Sequence, residues 1–256
     1  MSKRSLRTLL FALCLALLAV VSARVSPGAW RTGDGATEAD IWPSVEPTPE
    51  PTYSLEEELP GVDLTEWNLL LVNSANPLPP SFAPASVRSI REGIYNQYFD
   101  SRALGALEAM LDGAEAAGYE VYVRAAYRPY KYQATMFYGR ATVISEEQGI
   151  EYAEAEQMAR SVVAYPGTSE HQTGLCADIM DSASTRMDAE TADALPVLQW
   201  LREHCAEYGF IYRYPKEKEE LTGWYEPWHF RYVGPDAAAY IMDNSLCLEE
   251  FVSRFS

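Results

Sequence analysis

Ser169-Glu170-His171-Gln172-Thr173-Gly174-Leu175-Cys176-Ala177-Asp178 and Glu226-Pro227-Trp228-His229 hold two of the three histidines in this 256-residue chain, each beside acidic residues. A catalytic zinc takes three protein ligands of nitrogen or oxygen type and keeps one position open for water. His171, Asp178 and His229 would supply that set. Glu226, three residues before a ligand, is placed to take a proton from the bound water. The His-x6-Asp spacing alone is weak, because two such residues meet by chance in many sequences. Singly, each residue has a plainer reading: a capping histidine beside a glycine turn, a strand-end Asp178, a solvated Glu226. Together those readings require two of three histidines to fall into an acid-rich motif pair by accident. His204 is the contrast: it sits on an amphipathic pattern without an acidic cluster and reads as structural.

Outward from these motifs, helices and short strands alternate. Trp67 to Val72 reads as a strand, followed by a proline-rich loop at Pro77-Leu78-Pro79-Pro80. Leu104, Leu107, Leu111 and Ala114 recur at helical spacing, and Gly118 is placed to end that helix. Tyr119 to Ala125 reads as a strand with Val121 and Val123 on one face. Pro129 suits the start of a helix running to about Gln148, and a further helix spans Glu151 to Val163. Leu195, Leu198, Leu201, Cys205 and Tyr208 predict another, closed by Gly209. Phe210 to Tyr214 and Trp228 to Val233 are strand candidates, and a last helix follows Cys247. Strands this short and unevenly spaced point to an α+β domain over residues 61–256, long enough to bury one core.

Twenty Lys and Arg against 37 Asp and Glu give a net charge of −17, with 48% hydrophobic residues. That is globular composition, and so acidic a chain has no footprint for a phosphate backbone, which disfavours nucleic-acid binding. Neither G-x-G-x-x-G nor a P-loop occurs. Lys3, Arg4 and Arg7 precede an apolar run from Leu9 to Val21 that ends in Val21-Ser22-Ala23. At about 1.5 Å per residue the run reaches roughly 20 Å, short of the ~30 Å hydrocarbon core. Residues 1–23 therefore read as a cleaved signal peptide, with an uncleaved anchor as the alternative, and membrane association only in that case. Residues 24–60, with six prolines among Glu and Thr, read as an unpacked spacer. Cleavage leaves Cys176, Cys205 and Cys247. No C-x-x-C pair is present; an oxidising compartment permits one disulfide, for which Cys205 and Cys247 are the preferred pair, three buried free thiols being the alternative.

The two motifs, extended through Phe230-Arg231-Tyr232-Val233-Gly234, resemble the signatures of VanY-type D-alanyl-D-alanine carboxypeptidases. Tyr127-Arg128-Pro129-Tyr130-Lys131-Tyr132-Gln133 is similar to that family's Y-R-x-x-x-x-Q element, and the Trp67 to Pro80 stretch to the start of its catalytic domain. The resemblance covers nearly all of residues 61–256. It implies the hedgehog/D-Ala-D-Ala peptidase fold, an antiparallel sheet flanked by helices, and one Zn2+ per chain. It implies His171, Asp178 and His229 as ligands, Glu226 as catalytic base and peptidoglycan stem peptides as substrates, in the bacterial envelope. Arg128 would face the substrate, gripping a terminal carboxylate bidentately or stabilising the oxyanion. Gln133 and Ser169 are implied as hydrogen-bonding partners of the peptide end, and Trp228 as a neighbour of the metal or a plain core aromatic. Cys176 falls where family members carry a small or apolar residue, and is expected to be a buried inert thiol or, alternatively, redox-sensitive. The alternatives are an LD-carboxypeptidase on tetrapeptides, an endopeptidase, and a non-catalytic wall-binding module of the same fold. A monomer is the default expectation.

Overall fold

A computed structural model describes residues 62–91, 96–184 and 187–256. The signal-peptide reading of residues 1–23, the spacer of 24–60 and the first residue of the expected domain lie outside those residues. Among the described residues no helix is long and apolar enough to cross a membrane.

Among the described residues the first strands are a small antiparallel pair, β1 (Val87–Ser89) and β2 (Tyr98–Asp100). Helix α1 (Leu104–Ala116) buries Leu104, Leu107, Leu111 and Ala114 along one stripe. Strand β3 (Val121–Ala125) follows, with Val121 and Val123 inward. Next come the helices α2 (Tyr130–Gln148) and α3 (Tyr152–Ala159), which pack on each other through Phe137, Ala141, Ile144, Ala155 and Ala159. A 3-10 turn at Glu170–Thr173 leads into β4 (Cys176–Asp181). Then follow α4 (Ala189–Ala192), α5 (Pro196–His204) with a 3-10 extension Cys205–Tyr208, and β5 (Phe210–Tyr214). The last elements are α6 (Glu219–Thr222), β6 (Glu226–Tyr232), α7 (Pro235–Asp243) and α8 (Leu248–Phe255).

The main sheet runs β3-β4-β6-β5, and each pairing is antiparallel. Side chains alternate across a strand, so each sheet face collects its own set. Ala177, Ile179, Phe210 and Phe230 join α1 and α5 in the principal core. On the other face Ile211 meets Leu69, Ile241, Leu248 and Phe251 from the chain's early segment and its last two helices. That second face also carries the polar residues of the two motifs.

Three expectations are corrected. Trp67 to Val72 is not a strand; it runs through turns and irregular backbone. Its carbonyls at Asn68 and Leu70 accept from the Arg231 guanidinium at 3.2 and 2.9 Å, so a side chain takes the place of a ladder. The helix expected to reach Val163 stops at Ala159. Cys205 and Cys247 do not pair: Cys176, Cys205 and Cys247 are all free and buried. Cys205 packs in the principal core, whereas Cys247 caps α8, so their side chains serve different layers. Burial pushes the Cys205 thiol up to about 12 and the Cys247 thiol up to about 11.

Gly209 ends the α5 extension at φ +79°, where a Cβ would stand 2.9 Å from the Tyr232 ring and 3.1 Å from the Gly234 backbone. The left-handed conformation alone costs a non-glycine residue about 1–2 kcal/mol. Gly209→Ala is expected to lose at least that much in urea unfolding, and a loss below about 0.5 kcal/mol would contradict the packing described.

Candidate active site

The site is assembled where β4 and β6 run side by side. Their register pairs Asp178 with His229, so an acid and an imidazole from central strands stand on the same sheet face. His171 comes from the 3-10 turn before β4. Gly174 closes that turn at φ +69°, where a Cβ would press 3.1 Å from Pro84 and 3.4 Å from the Asp100 backbone nitrogen. The turn is tied to β3's end, where the Arg128 N–H donates to the His171 carbonyl at 2.9 Å. Glu226 opens β6, and a register slip between Tyr212 and Tyr214 lets it approach His229 despite the odd spacing.

The structure brings the three expected ligands together. His171 Nε2 lies 3.3 Å from Asp178 Oδ2, and His229 Nδ1 lies 3.0 Å from Asp178 Oδ1. Glu226 Oε2 is 3.5 Å from His229 Nδ1. Each ring turns its other nitrogen to an acceptor: His171 Nδ1 to the Ala126 carbonyl at 2.6 Å, His229 Nε2 to Glu170 Oε2 at 3.4 Å. Both imidazoles therefore aim a nitrogen at one carboxylate, the geometry a tetrahedral cation needs from its protein side. Asp178, Glu226 and His229 offer donor atoms within 4.8 Å of one another, as do His171, Cys176 and His229. The donor set fits a zinc ion held by His171, Asp178 and His229.

The electrostatics are those of a buried, acid-rich cluster. Burial works against charge on both rings, but Cys176 and the Asp178 carboxylate outweigh it, raising His171 to about 9 and His229 well above its ordinary value. Burial would lift Asp178 too, yet the neighbouring imidazoles hold it well below the usual carboxylate range. Burial is the largest influence on Glu226 and raises it, the direction expected of a base that must accept a proton near neutrality.

A cleft of about 280 Å³ opens over these groups, lined by Arg128, Ser169, Glu226, Trp228, Met136 and Val163 among others. Arg128 is anchored by Gln133, whose Oε1 accepts from Nη1 at 2.7 Å while its amide donates to the Ala164 carbonyl. Gln133 is thus occupied from both ends and supports Arg128 instead of facing a peptide. Trp228 both lines the cleft and belongs to the principal core. His204 lies elsewhere, stacked on Trp200 and bonded to Glu207.

Sequence reasoning missed the roles of Glu170, Arg213 and Arg231, and for Cys176 it left a buried inert thiol and a redox-sensitive one as alternatives. Cys176 shares a strand face with Asp178, and its thiol is lowered to about 7: burial raises it, but the His171 and His229 charges win. The alternation His229-Phe230-Arg231 was the available signal, since it puts an arginine on the face of a buried imidazole.

A family model described as VanY, D-alanyl-D-alanine carboxypeptidase, matches residues 96–235. The chain belongs to this family. A D-alanyl-D-alanine carboxypeptidase of Enterococcus faecalis is 36% identical over 192 residues, covering 75% of this chain and 68% of that one. A crystal structure of a variant of the vancomycin-resistance D,D-pentapeptidase VanY, in complex with Zn(II), is 37% identical with a TM-score of 0.61. The match covers 73% of this chain and 99% of that one. The LD-carboxypeptidase LdcB matches at 38% identity and TM-score 0.63, over 73% and 86% of the two chains. The α+β architecture of this VanY-family chain is the hedgehog-like peptidase fold.

Proposed function

We propose that this chain is an exported zinc D-alanyl-D-alanine carboxypeptidase that removes the C-terminal residue of peptidoglycan stem peptides. The observation carrying the reading is the convergence of His171 Nε2 and His229 Nδ1 on Asp178, with Glu226 at the cleft beside them. A bound zinc ion supplies a water of pKa about 7 and polarises the scissile carbonyl. Glu226 takes the proton of the attacking water and delivers it to the departing amine. Arg128, held at a fixed angle by Gln133, meets the terminal carboxylate. Ser169 offers a hydroxyl at the cleft wall, and Trp228 walls off solvent. Residues 1–23 direct export, residues 24–60 form a spacer ahead of the domain, and a single copy of residues 61–256 carries the activity.

Incubation of the purified chain with a defined pentapeptide is expected to release D-alanine. Chelation should abolish the release and stoichiometric zinc restore it, read by mass spectrometry with zinc measured on the same sample. Release that persists without metal would end the zinc reading. A second reading, LD-carboxypeptidase action on tetrapeptides, is supported by the comparable likeness to LdcB. A tetrapeptide in the same assay separates the two.

A further inference from the structure

Behind His229 lies a cluster of four charges that the proposed chemistry does not use. Glu170 Oε1 accepts from Arg213 Nε at 2.8 Å and from Arg231 Nη1 at 2.9 Å, and all three side chains are 0% exposed. Arg213 gives one N–H from each of Nη1 and Nη2 to the two oxygens of Glu249, each at 2.8 Å. Arg231 gives its Nη2 to the Asn68 and Leu70 carbonyls and its Nε to the Tyr232 carbonyl at 3.1 Å. With Oε1 taken twice and both guanidiniums fixed elsewhere, the carboxylate has one orientation, and its Oε2 points at His229 Nε2.

We propose that Glu170 is a positioning residue that makes Nδ1 of His229 the nitrogen open to the cation. An ionised carboxylate between two arginines can only accept hydrogen bonds, so the ring nitrogen facing it must be N–H. Nδ1 faces a carboxylate too, Asp178 Oδ1 at 3.0 Å, but Asp178 is itself one of the proposed ligands, so a cation between them takes the place of that proton and leaves Nδ1 as the donor. His171 reaches the same condition by another route, because its Nδ1 faces the Ala126 carbonyl, an acceptor that no substitution at position 126 removes. The dependence on a side chain is therefore specific to His229.

This inference rests on the zinc-peptidase reading, and its test separates the two. Glu170→Gln keeps the size of the side chain. With its oxygen retained by the two guanidiniums it turns an N–H toward His229 Nε2, which favours the tautomer carrying its proton at Nδ1. Zinc affinity, measured by competition with a chromophoric chelator, is expected to fall about 10–100-fold. At saturating zinc the peptide KM should be unchanged. Unchanged zinc affinity in a folded E170Q chain overturns the proposal. In the wild-type chain loaded with cadmium-113, metal coupling is expected at His229 Nδ1 and His171 Nε2 in the ring-nitrogen spectrum. Coupling at His229 Nε2 overturns the proposal whether or not E170Q folds. A wild-type chain that binds neither ion overturns the zinc reading and this inference with it, whereas normal binding with the wrong nitrogen overturns the inference alone.

Discussion

Glu226→Gln is expected to bind zinc with the stoichiometry of the parent chain and to lose about 10²–10⁴-fold in kcat on a pentapeptide. The amide has nearly the shape of the carboxylate but cannot take a proton from water. Because Glu226 Oε2 lies only 3.5 Å from His229 Nδ1, the variant also separates two roles that geometry alone leaves adjacent. Zinc retained with turnover lost assigns the base. Zinc lost would make Glu226 a ligand, and undiminished turnover would remove it from the chemistry. Metal content and single-substrate kinetics on one preparation decide among these.

The largest stability effect is expected from Arg213→Met. Arg213 is fully buried and holds two carboxylates, Glu170 and Glu249, at 2.8 Å. Removing the guanidinium leaves Glu170 buried with Arg231 as its remaining cation and Glu249 without its bidentate partner, a change of about 3–5 kcal/mol. For a domain of this size the melting midpoint should fall on the order of 10 °C. The pH dependence has a definite sign. Burial lifts the Glu170 carboxyl, but Arg213 and Arg231 outweigh it and hold it far below the ordinary glutamate value of 4.5. A depressed carboxyl contributes stability above its unfolded pKa and loses it as pH falls. The difference between parent and variant should therefore be largest at neutral pH and shrink below about pH 4. A midpoint within a degree or two of the parent's at pH 7 would contradict the account.

Much of the domain is legible along the chain because its signals are local. The Leu104-Leu107-Leu111 spacing gives α1, and the Val121-Tyr122-Val123 alternation gives β3. The two histidine motifs identify the residues that meet at Asp178, since each carries its own turn or strand in a few residues. What escapes is whatever depends on a distant partner. Trp67 to Val72 has the apolar content of a strand, and only the reach of Arg231 explains why its carbonyls need no neighbour. Glu170 looks like a solvated acid beside His171; its partners Arg213 and Arg231 come from two later strands. Gln133 sits at motif distance from Arg128, but spacing does not say that its oxygen is taken by Arg128 and its amide by the Ala164 carbonyl. The cysteine pairing failed for a related reason, because two cysteines at helix ends need not share a packing layer.

The ties of Arg231 to Asn68 and Leu70 and of Arg213 to Glu249 bear on where this catalytic unit can be cut. Residues 96–235 carry the family signature, yet two guanidiniums behind the active centre are moored to chain on either side of that interval. The evolutionary module and the mechanical one have different borders. A truncation drawn to the signature would leave a complete inventory of reactive groups on a floor with both its outer beams removed.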